Sequence, residues 1–537
     1  MPVSISLSHL TWSTPDGRSL FSDLSLTFGP ARSGLVGRNG VGKSTLLKLI
    51  AGTLQPQAGT VSVDGSLGIL RQTVQVAEQE SVADLFGIAD ALALLRRAEE
   101  GTASIDELSI ADWTLEARLA AALARLGLEA EAQTPLSSLS GGQLTRAKLA
   151  ALVFADPDFI LLDEPTNNLD RAGREAVIEL MANWRGGAIV VSHDRELLDT
   201  MDVIVELTSL GATSYGGNWS HYRERKAIEL ASARHDLADA ERRLAEVDRK
   251  TQELAERKAR KDSAGRRKRA KGDEPLLLLD AKKERSEKTA GDNARLSERR
   301  RDQALGDLAA ARERIETLQP FSVRLPSTGL PPGRAVLQVD DVSAGYIPDR
   351  PVLANLSLTI AGPERVAITG RNGSGKTTFL SLMSGKLAPW SGQVRVLTDF
   401  AILDQQVSLL DPQVSIRDNF RRLHPGAGEN ACRAALARFM FRADAALQRV
   451  SSLSGGQMLR AGLACVLGGE SPPDLLILDE PTNHLDIDSI ETVEAGLRAF
   501  DGALIVVSHD EAFLEAIGIT RRIDLTTPSA GRRSNVR

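Results

Sequence analysis

The chain has 537 residues, 65 Lys and Arg against 71 Asp and Glu for a formal net charge of −6, and two cysteines, Cys432 and Cys465. That length calls for two or more domains, and no apolar run approaches the roughly 18 residues of a membrane helix, so a membrane pore is excluded. Two cysteines cannot build a disulfide framework, and Met1-Pro-Val-Ser-Ile-Ser6 lacks a basic stretch followed by an apolar core, so a reducing, cytoplasmic setting is expected.

Charge is unevenly placed. Residues 221–320 hold 27 Lys and Arg against 21 Asp and Glu, a local +6, which leaves 38 against 50, or −12, elsewhere.

In chain order, residues 1–30 alternate apolar and polar (Val3, Ile5, Leu7; Leu24, Leu26, Phe28) around Thr14-Pro-Asp-Gly17, which reads as a β-hairpin. Trp12 precedes that turn, and Tyr346 is its counterpart in a similar stretch of the second half. A lone aromatic beside a hairpin is ordinarily core. Occurring ahead of a phosphate loop in both halves, these two are expected to stack on a purine.

The loop itself is Gly37-Arg38-Asn39-Gly40-Val41-Gly42-Lys43-Ser44-Thr45, and it returns as Gly370-Arg371-Asn372-Gly373-Ser374-Gly375-Lys376-Thr377-Thr378. Each copy follows a strand-like run and precedes a helix-like one, the context in which Gly-x-x-x-x-Gly-Lys-Ser/Thr binds phosphate. Glycines let successive backbone N–H groups turn inward, and the helix adds its positive end. Lys43 and Lys376 bring charge to the β/γ-phosphates, and Ser44 and Thr377 offer a hydroxyl to Mg2+.

Four further motifs repeat in the same order. Ile69-Leu-Arg-Gln72 matches Ile402-Leu-Asp-Gln405 at the loop's own offset of 333 residues, which makes each glutamine a candidate magnesium or water contact. Leu139-Ser140-Gly141-Gly142-Gln143 matches Leu453-Ser454-Gly455-Gly456-Gln457 at an offset of 314, so the first half carries 19 extra residues within Val82–Leu128. A serine and two glycines before an amphipathic run describe a helix start able to hold an anion. Phe159-Ile-Leu-Leu-Asp163-Glu164 and Leu475-Leu-Ile-Leu-Asp479-Glu480 read as buried parallel strands ending in acids, each followed by Pro-Thr-Asn. Asp163 and Asp479 are placed to hold Mg2+ through water, and Glu164 and Glu480 are the natural general bases. Finally, two buried strands end in His193 and His509, 316 residues apart like the glutamates, which suggests sensors of the terminal phosphate.

With all five motifs in order, each half resembles an ATP-binding-cassette ATPase domain, over roughly residues 1–220 and 335–537. The resemblance implies an α/β fold: a parallel-sheet core with an antiparallel β subdomain and a helical subdomain. It also implies two ATP molecules held between head-to-tail cassettes within a monomer. Site one would join Lys43, Ser44, Gln72, Asp163, Glu164 and His193 to Ser454 and Gly456; site two would join Lys376, Thr377, Gln405, Asp479, Glu480 and His509 to Ser140 and Gly142. Two cassettes on one chain with Pro165-Thr-Asn-Asn-Leu-Asp170 and Pro481-Thr-Asn-His-Leu-Asp486 are similar to the ABC-F subfamily, most of whose members act on the ribosome.

Between the cassettes, residues 221–334 read as a charged linker. From about Tyr222 to Arg260 heptads place Leu230, Leu237 and Leu244 at one position and Ala233, Ala240, Val247 and Leu254 at another, and Ala304, Leu308, Ala311, Ile315 and Leu318 supply a returning helix. Some 35 residues per arm would span about 50 Å. At the tip, Arg257–Lys271 holds nine basic residues and one acid, with no aromatic for base stacking, followed by an unusual Leu276–Leu279 run. A solvated loop and a probe for structured RNA phosphates both fit this cluster, and the family resemblance points to ribosome and tRNA.

The expectation is thus a cytoplasmic ATPase that closes two cassettes on ATP to move a basic hairpin on the ribosome. A rival is the ATPase subunit of a membrane transporter, which gives the hairpin no evident task. Another is a chromosome or DNA-repair ATPase, in which the coil would interrupt a cassette rather than join two.

Overall fold

The computed structural model describes residues 3–70, 80–167, 169–271, 298–299, 301–310, 323–483 and 485–525. It falls into two units, Met1–Ser220 with Phe321–Arg537, and His221–Pro320.

In the first cassette the strands are β1 (Ser4–Ser13), β2 (Ser19–Phe28), β3 (Arg32–Val36), β4 (Ala58–Asp64), β5 (Leu67–Leu70), β6 (Phe159–Asp163), β7 (Gly187–Val191), β8 (Val203–Thr208) and β9 (Gly211–Gly216). They form an antiparallel sheet, β2-β1-β4, and a six-stranded sheet, β5-β6-β7-β3-β8-β9, parallel except for the β8–β9 pair. The alternating residues Ile5, Leu7 and Leu10 of β1 are buried, as one wet face demands. The unbroken apolar runs of β6 and β7 are buried along their whole length, because helices cover both faces of a parallel sheet.

The second cassette repeats this plan with β10 (Ala335–Ala344), β11 (Leu353–Ala361), β12 (Arg365–Thr369), β13 (Ser391–Val396), β14 (Phe400–Leu403), β15 (Leu475–Asp479), β16 (Ala503–Val507) and β17 (Arg521–Asp524). Its sheets are β11-β10-β13, antiparallel, and β14-β15-β16-β12-β17, all parallel. In both large sheets the phosphate-loop strand neighbours the histidine strand, which neighbours the acidic strand. Three chemically active loops therefore leave adjacent carboxyl ends, where open α/β sheets bind ligands.

One sequence pairing is corrected by the register. Trp12 pairs with Phe21, and the residue that pairs with the equivalent Leu353 is Ala344, an offset of 332 rather than the 334 that links Trp12 to Tyr346. Trp12 lies half-buried against the first core, whereas Tyr346 sits beyond the end of β10 and is 64% exposed. The second half gained a residue in the turn after its β-hairpin, because β3 and β12 are offset by 333.

The 19 extra residues of the first half add helical turns. Val82–Leu85, capped by Ser81, answers Ile416–Leu423, capped by Ser415; beyond it the first half has helices Ala89–Glu99, Ile105–Ile110 and Leu115–Arg125 where the second has Glu429–Arg438.

In the second unit a single helix runs from Trp219 to Lys271, 53 residues, or about 80 Å at 1.5 Å per residue. It is longer than the heptads alone predict, since it continues through the basic run to Lys271. Leu308 packs with Ala240, Leu237 and Leu244, and Arg301 bridges Asp248 at 2.8 Å, so the later residue meets the earlier one as in antiparallel helices. The Leu276–Leu279 run and Ala311, Ile315 and Leu318 lie outside the described residues.

Candidate active site

Both phosphate loops need backbone that only glycine supplies without strain. Gly42 has φ of 110° and Gly375 of 98°, and a Cβ on either would come within 2.7 Å of Phe21 or Leu353. Helices Lys43–Ile50 and Lys376–Met383 begin at the next residue with no side-chain cap, so their first N–H groups face the loop. Lys43 Nζ donates to the carbonyls of Gly37 and Arg38, and Lys376 Nζ to those of Gly370 and Arg371, which centres each ammonium in its loop. Thr378 is buried beneath its loop, and Thr45 half-buried.

Beside each loop stands an acid pair. Glu164 and Glu480 both have positive φ, 50° and 44°, a strained conformation for a residue with a side chain. Both are held there by a backbone bond to the histidine strand, Glu164 N to Val191 O at 2.9 Å and Glu480 N to Val507 O at 2.8 Å. Burial pushes the Glu164 carboxyl up to about 8 despite Lys43 nearby, and that of Glu480 up to about 7 despite Lys376. His193 Nε2 lies 3.1 Å from Glu164 Oε1, with its pKa lowered by burial to about 3, so the ring is neutral. At the second site His509 Nε2 lies 2.9 Å from Lys376 Nζ and 3.6 Å from Glu480. An ammonium can only donate, so there the imidazole nitrogen accepts.

The residues present fit a magnesium ion. Asp163 Oδ1 is buried without a hydrogen-bond partner, and the Ser44 hydroxyl bonds the same carboxyl group. Asp479 is pushed up to about 6 by burial and by Asp404. Hydroxyl and carboxylate oxygens are the hard donors that magnesium prefers. Gln405 is exposed just beyond β14, and Gln72 lies outside the described residues.

The Leu-Ser-Gly-Gly-Gln copies each open a helix, Gly141–Phe154 and Gly455–Leu467. Ser140 Oγ accepts from Gln143 N while Gln143 Oε1 accepts from Ser140 N, and Ser454 and Gln457 do the same, so both glutamine side chains are engaged in capping boxes. A Cβ on Gly456 would meet Ser489 Oγ at 2.2 Å, so the motif packs tightly on the helix Ile487–Ala499.

The cassettes meet at these sites. Asp486 Oδ2 of the second accepts from Asn39 N in the first loop at 2.7 Å, and Asp170 Oδ2 of the first accepts from Asn372 N in the second loop at 3.4 Å. Arg38 pairs with Asp488 at 2.9 Å, and part-buried Arg195 with buried Glu494 at 2.7 Å. The sequence matched Asp170 and Asp486 but gave them no task. Arg195 and Glu494 carried no signal at all, since neither position repeats.

Comparisons with known proteins identify the family. The family model described as ABC transporter matches residues 21–167 and 353–483. The tylosin resistance ATP-binding protein TlrC of Streptomyces fradiae is 32% identical, with 92% of each chain covered. The chain belongs to the ABC-F subfamily of ATP-binding-cassette ATPases.

This ABC-F protein is an ATPase, converting ATP and water to ADP and phosphate. The energy-dependent translational throttle protein EttA of Mycobacterium tuberculosis is 31% identical over 92% of this chain and 87% of its own. Among solved structures, the archaeal ribosome recycling factor aABCE1, in complex with stalk protein aP1, shares the fold at a TM-score of 0.59 and 18% identity, covering 96% of this chain and 87% of that one. No helix among the described residues of this ABC-F chain is long and apolar enough to cross a membrane.

Proposed function

We propose that this ABC-F ATPase binds one ATP at each of two composite sites and uses the resulting closure to act on the ribosome. The bond from Asp486 to Asn39, which puts one cassette's acid on the other's phosphate loop, carries the composite reading. In site one the backbone N–H groups of residues 37–43 and Lys43 hold the β/γ-phosphates, and Ser454 and Gly456 at a helix start meet the γ-phosphate from the other side. In site two Lys376 and its loop act with Ser140 and Gly142. Ser44 with Asp163, and Thr377 with Asp479, would hold Mg2+, which when bound neutralises phosphate charge as the bond to the leaving oxygen breaks. Gln72 and Gln405 would complete that set, and Trp12 and Tyr346 would border the base.

Glu164 and Glu480 accept the proton of the attacking water, their strained backbone fixing where that proton goes. Neutral His193 steadies the Glu164 carboxylate and contacts the terminal phosphate, and His509 serves the second site. Two ligands bridging the seam bind the closed state better than the open one and so shift the population towards it.

The ribosomal part rests on the relatives, of which one is named a translational throttle and another a tylosin resistance protein, and on the +8 run Arg257–Lys271. A basic helix of this kind suits RNA backbone phosphates, and tRNA is the finer expectation. The test is co-sedimentation of a Glu164→Gln, Glu480→Gln double variant with ribosomes in ATP. Retention with the ribosomes, where wild type is released, is expected; equal release of both would overturn the coupling, and partition into membranes would favour the transporter reading.

A further inference from the structure

The two halves repeat their motifs faithfully, but the seam does not repeat itself. We propose that site one is latched by two ion pairs across the seam, Arg38–Asp488 and Arg195–Glu494, which site two lacks, so that the seam opens and nucleotide leaves at site two first. This rests on the reading of two composite ATP sites.

The asymmetry is legible residue by residue at the offset of 316 that relates Asp170 to Asp486. Asp488 sits in the first turn of the helix Ile487–Ala499 and reaches Arg38 on the opposite phosphate loop. Its counterpart is Ala172, in a first turn with no acid, so Arg371 makes no ion pair among the described residues. Nearly two turns further on, buried Glu494 binds part-buried Arg195. Their counterparts are Ile178 and Glu511, an apolar residue and an acid, and Glu511 pairs within its own cassette with Arg522.

The rest of the geometry agrees. Lys43 is buried where Lys376 is half-buried. The acid-to-loop bond is 2.7 Å at site one and 3.4 Å at site two, and histidine to glutamate is 3.1 Å against 3.6 Å. The acid-to-loop bond is the comparison that crosses the seam, and it finds the first one tighter; the Lys43 burial and the His193–Glu164 distance show closer packing within the first cassette. A pair withdrawn from water to this extent resists separation, because opening must either hydrate both charges or strand them; the exposed Arg38–Asp488 pair adds a smaller increment.

The experiment loads the full chain with ATP and Mg2+, labelled on the α-phosphate so that ADP retains the label. Bound label is counted, and its release into excess unlabelled ATP is followed. Two labels per chain should leave in two phases of equal amplitude, separated about tenfold or more in rate. Asp488→Ala, a surface change with little folding risk, should speed only the slow phase, by about threefold. Glu494→Gln keeps the shape of the buried acid and should speed the slow phase by about tenfold or more. Ala172→Asp, which offers Arg371 a partner, should slow only the fast phase. Melting temperatures near that of wild type confirm that each variant is folded. A single release phase in wild type, or a slow phase unmoved by both Asp488→Ala and Glu494→Gln, overturns the latch. A stoichiometry other than two, not lowered by Lys43→Ala or Lys376→Ala, would instead bring down the composite-site reading, and the latch with it.

Discussion

Asp486 and Asn39 stand 447 residues apart in sequence and 2.7 Å apart across the seam, carboxylate to backbone N–H. The same carboxylate caps its own helix by accepting from Ser489 N at 2.9 Å. One acid thus ties a helix of the second cassette to the phosphate loop of the first. Asp486→Ala should lower ATPase activity by roughly tenfold or more, as expected for losing a charged hydrogen bond of about 1.5–3 kcal/mol. Asp486→Asn keeps an acceptor and a good cap and should lose much less. Steady-state ATPase rates decide it; equal losses in the two variants would mean that charge rather than the bond matters.

Burial raises Glu164 to about 8 and Glu480 to about 7, so both are largely protonated in mildly acid solution. A general base works only as the carboxylate. Activity should therefore climb with pH, about tenfold per unit below these values, and level off above them. A rate profile from pH 5.5 to 9 measures this, and a plateau already reached at pH 6 would remove the general-base assignment.

Arg174 is buried and binds buried Asp194 at 2.7 Å, with Asp510 of the other cassette close enough to feel its charge. Arg174→Met strips Asp194 of its ion-pair partner and leaves Asp510 only the weaker influence of Arg195, at a cost of about 3–5 kcal/mol. The melting temperature should fall by roughly 5–15 °C at neutral pH. Burial already holds the Asp510 carboxyl above its usual range against the pull of Arg174, and removing the arginine raises it further, so the missing stability returns as pH falls and is lost as pH rises. The gap from wild type should narrow towards pH 5; a constant gap would point to packing instead.

Replacing Arg266, Arg267, Lys268 and Arg269 by glutamine should weaken ribosome binding and flatten its dependence on log salt by up to about four counterions. ATPase activity without ribosomes should be unchanged. An unchanged salt slope would remove the basic tip from the interface.

The order of motifs was enough to place each active loop at a strand's carboxyl end, because a short, fully apolar run such as Phe159–Leu162 fits a strand covered on both faces, and the acids that follow it then emerge together at the sheet's edge. Likeness of the surrounding stretches mispaired Tyr346 with Trp12, since sequence alone does not reveal in which turn an extra residue sits; strand register does, and it makes Ala344 the counterpart of Trp12.

By itself the sequence determined the repeated chemistry: phosphate loops, acids, helix starts and histidines, all local patterns whose spacing follows from strand and helix geometry. Only the tertiary structure decided how the halves complete one another. Asp486 on Asn39, Arg38 on Asp488 and Arg195 on Glu494 join residues from opposite cassettes, and two of these pairs have no repeated counterpart to betray them. A charge's partner is set by which surfaces meet in space, and no periodicity along a single chain encodes that meeting.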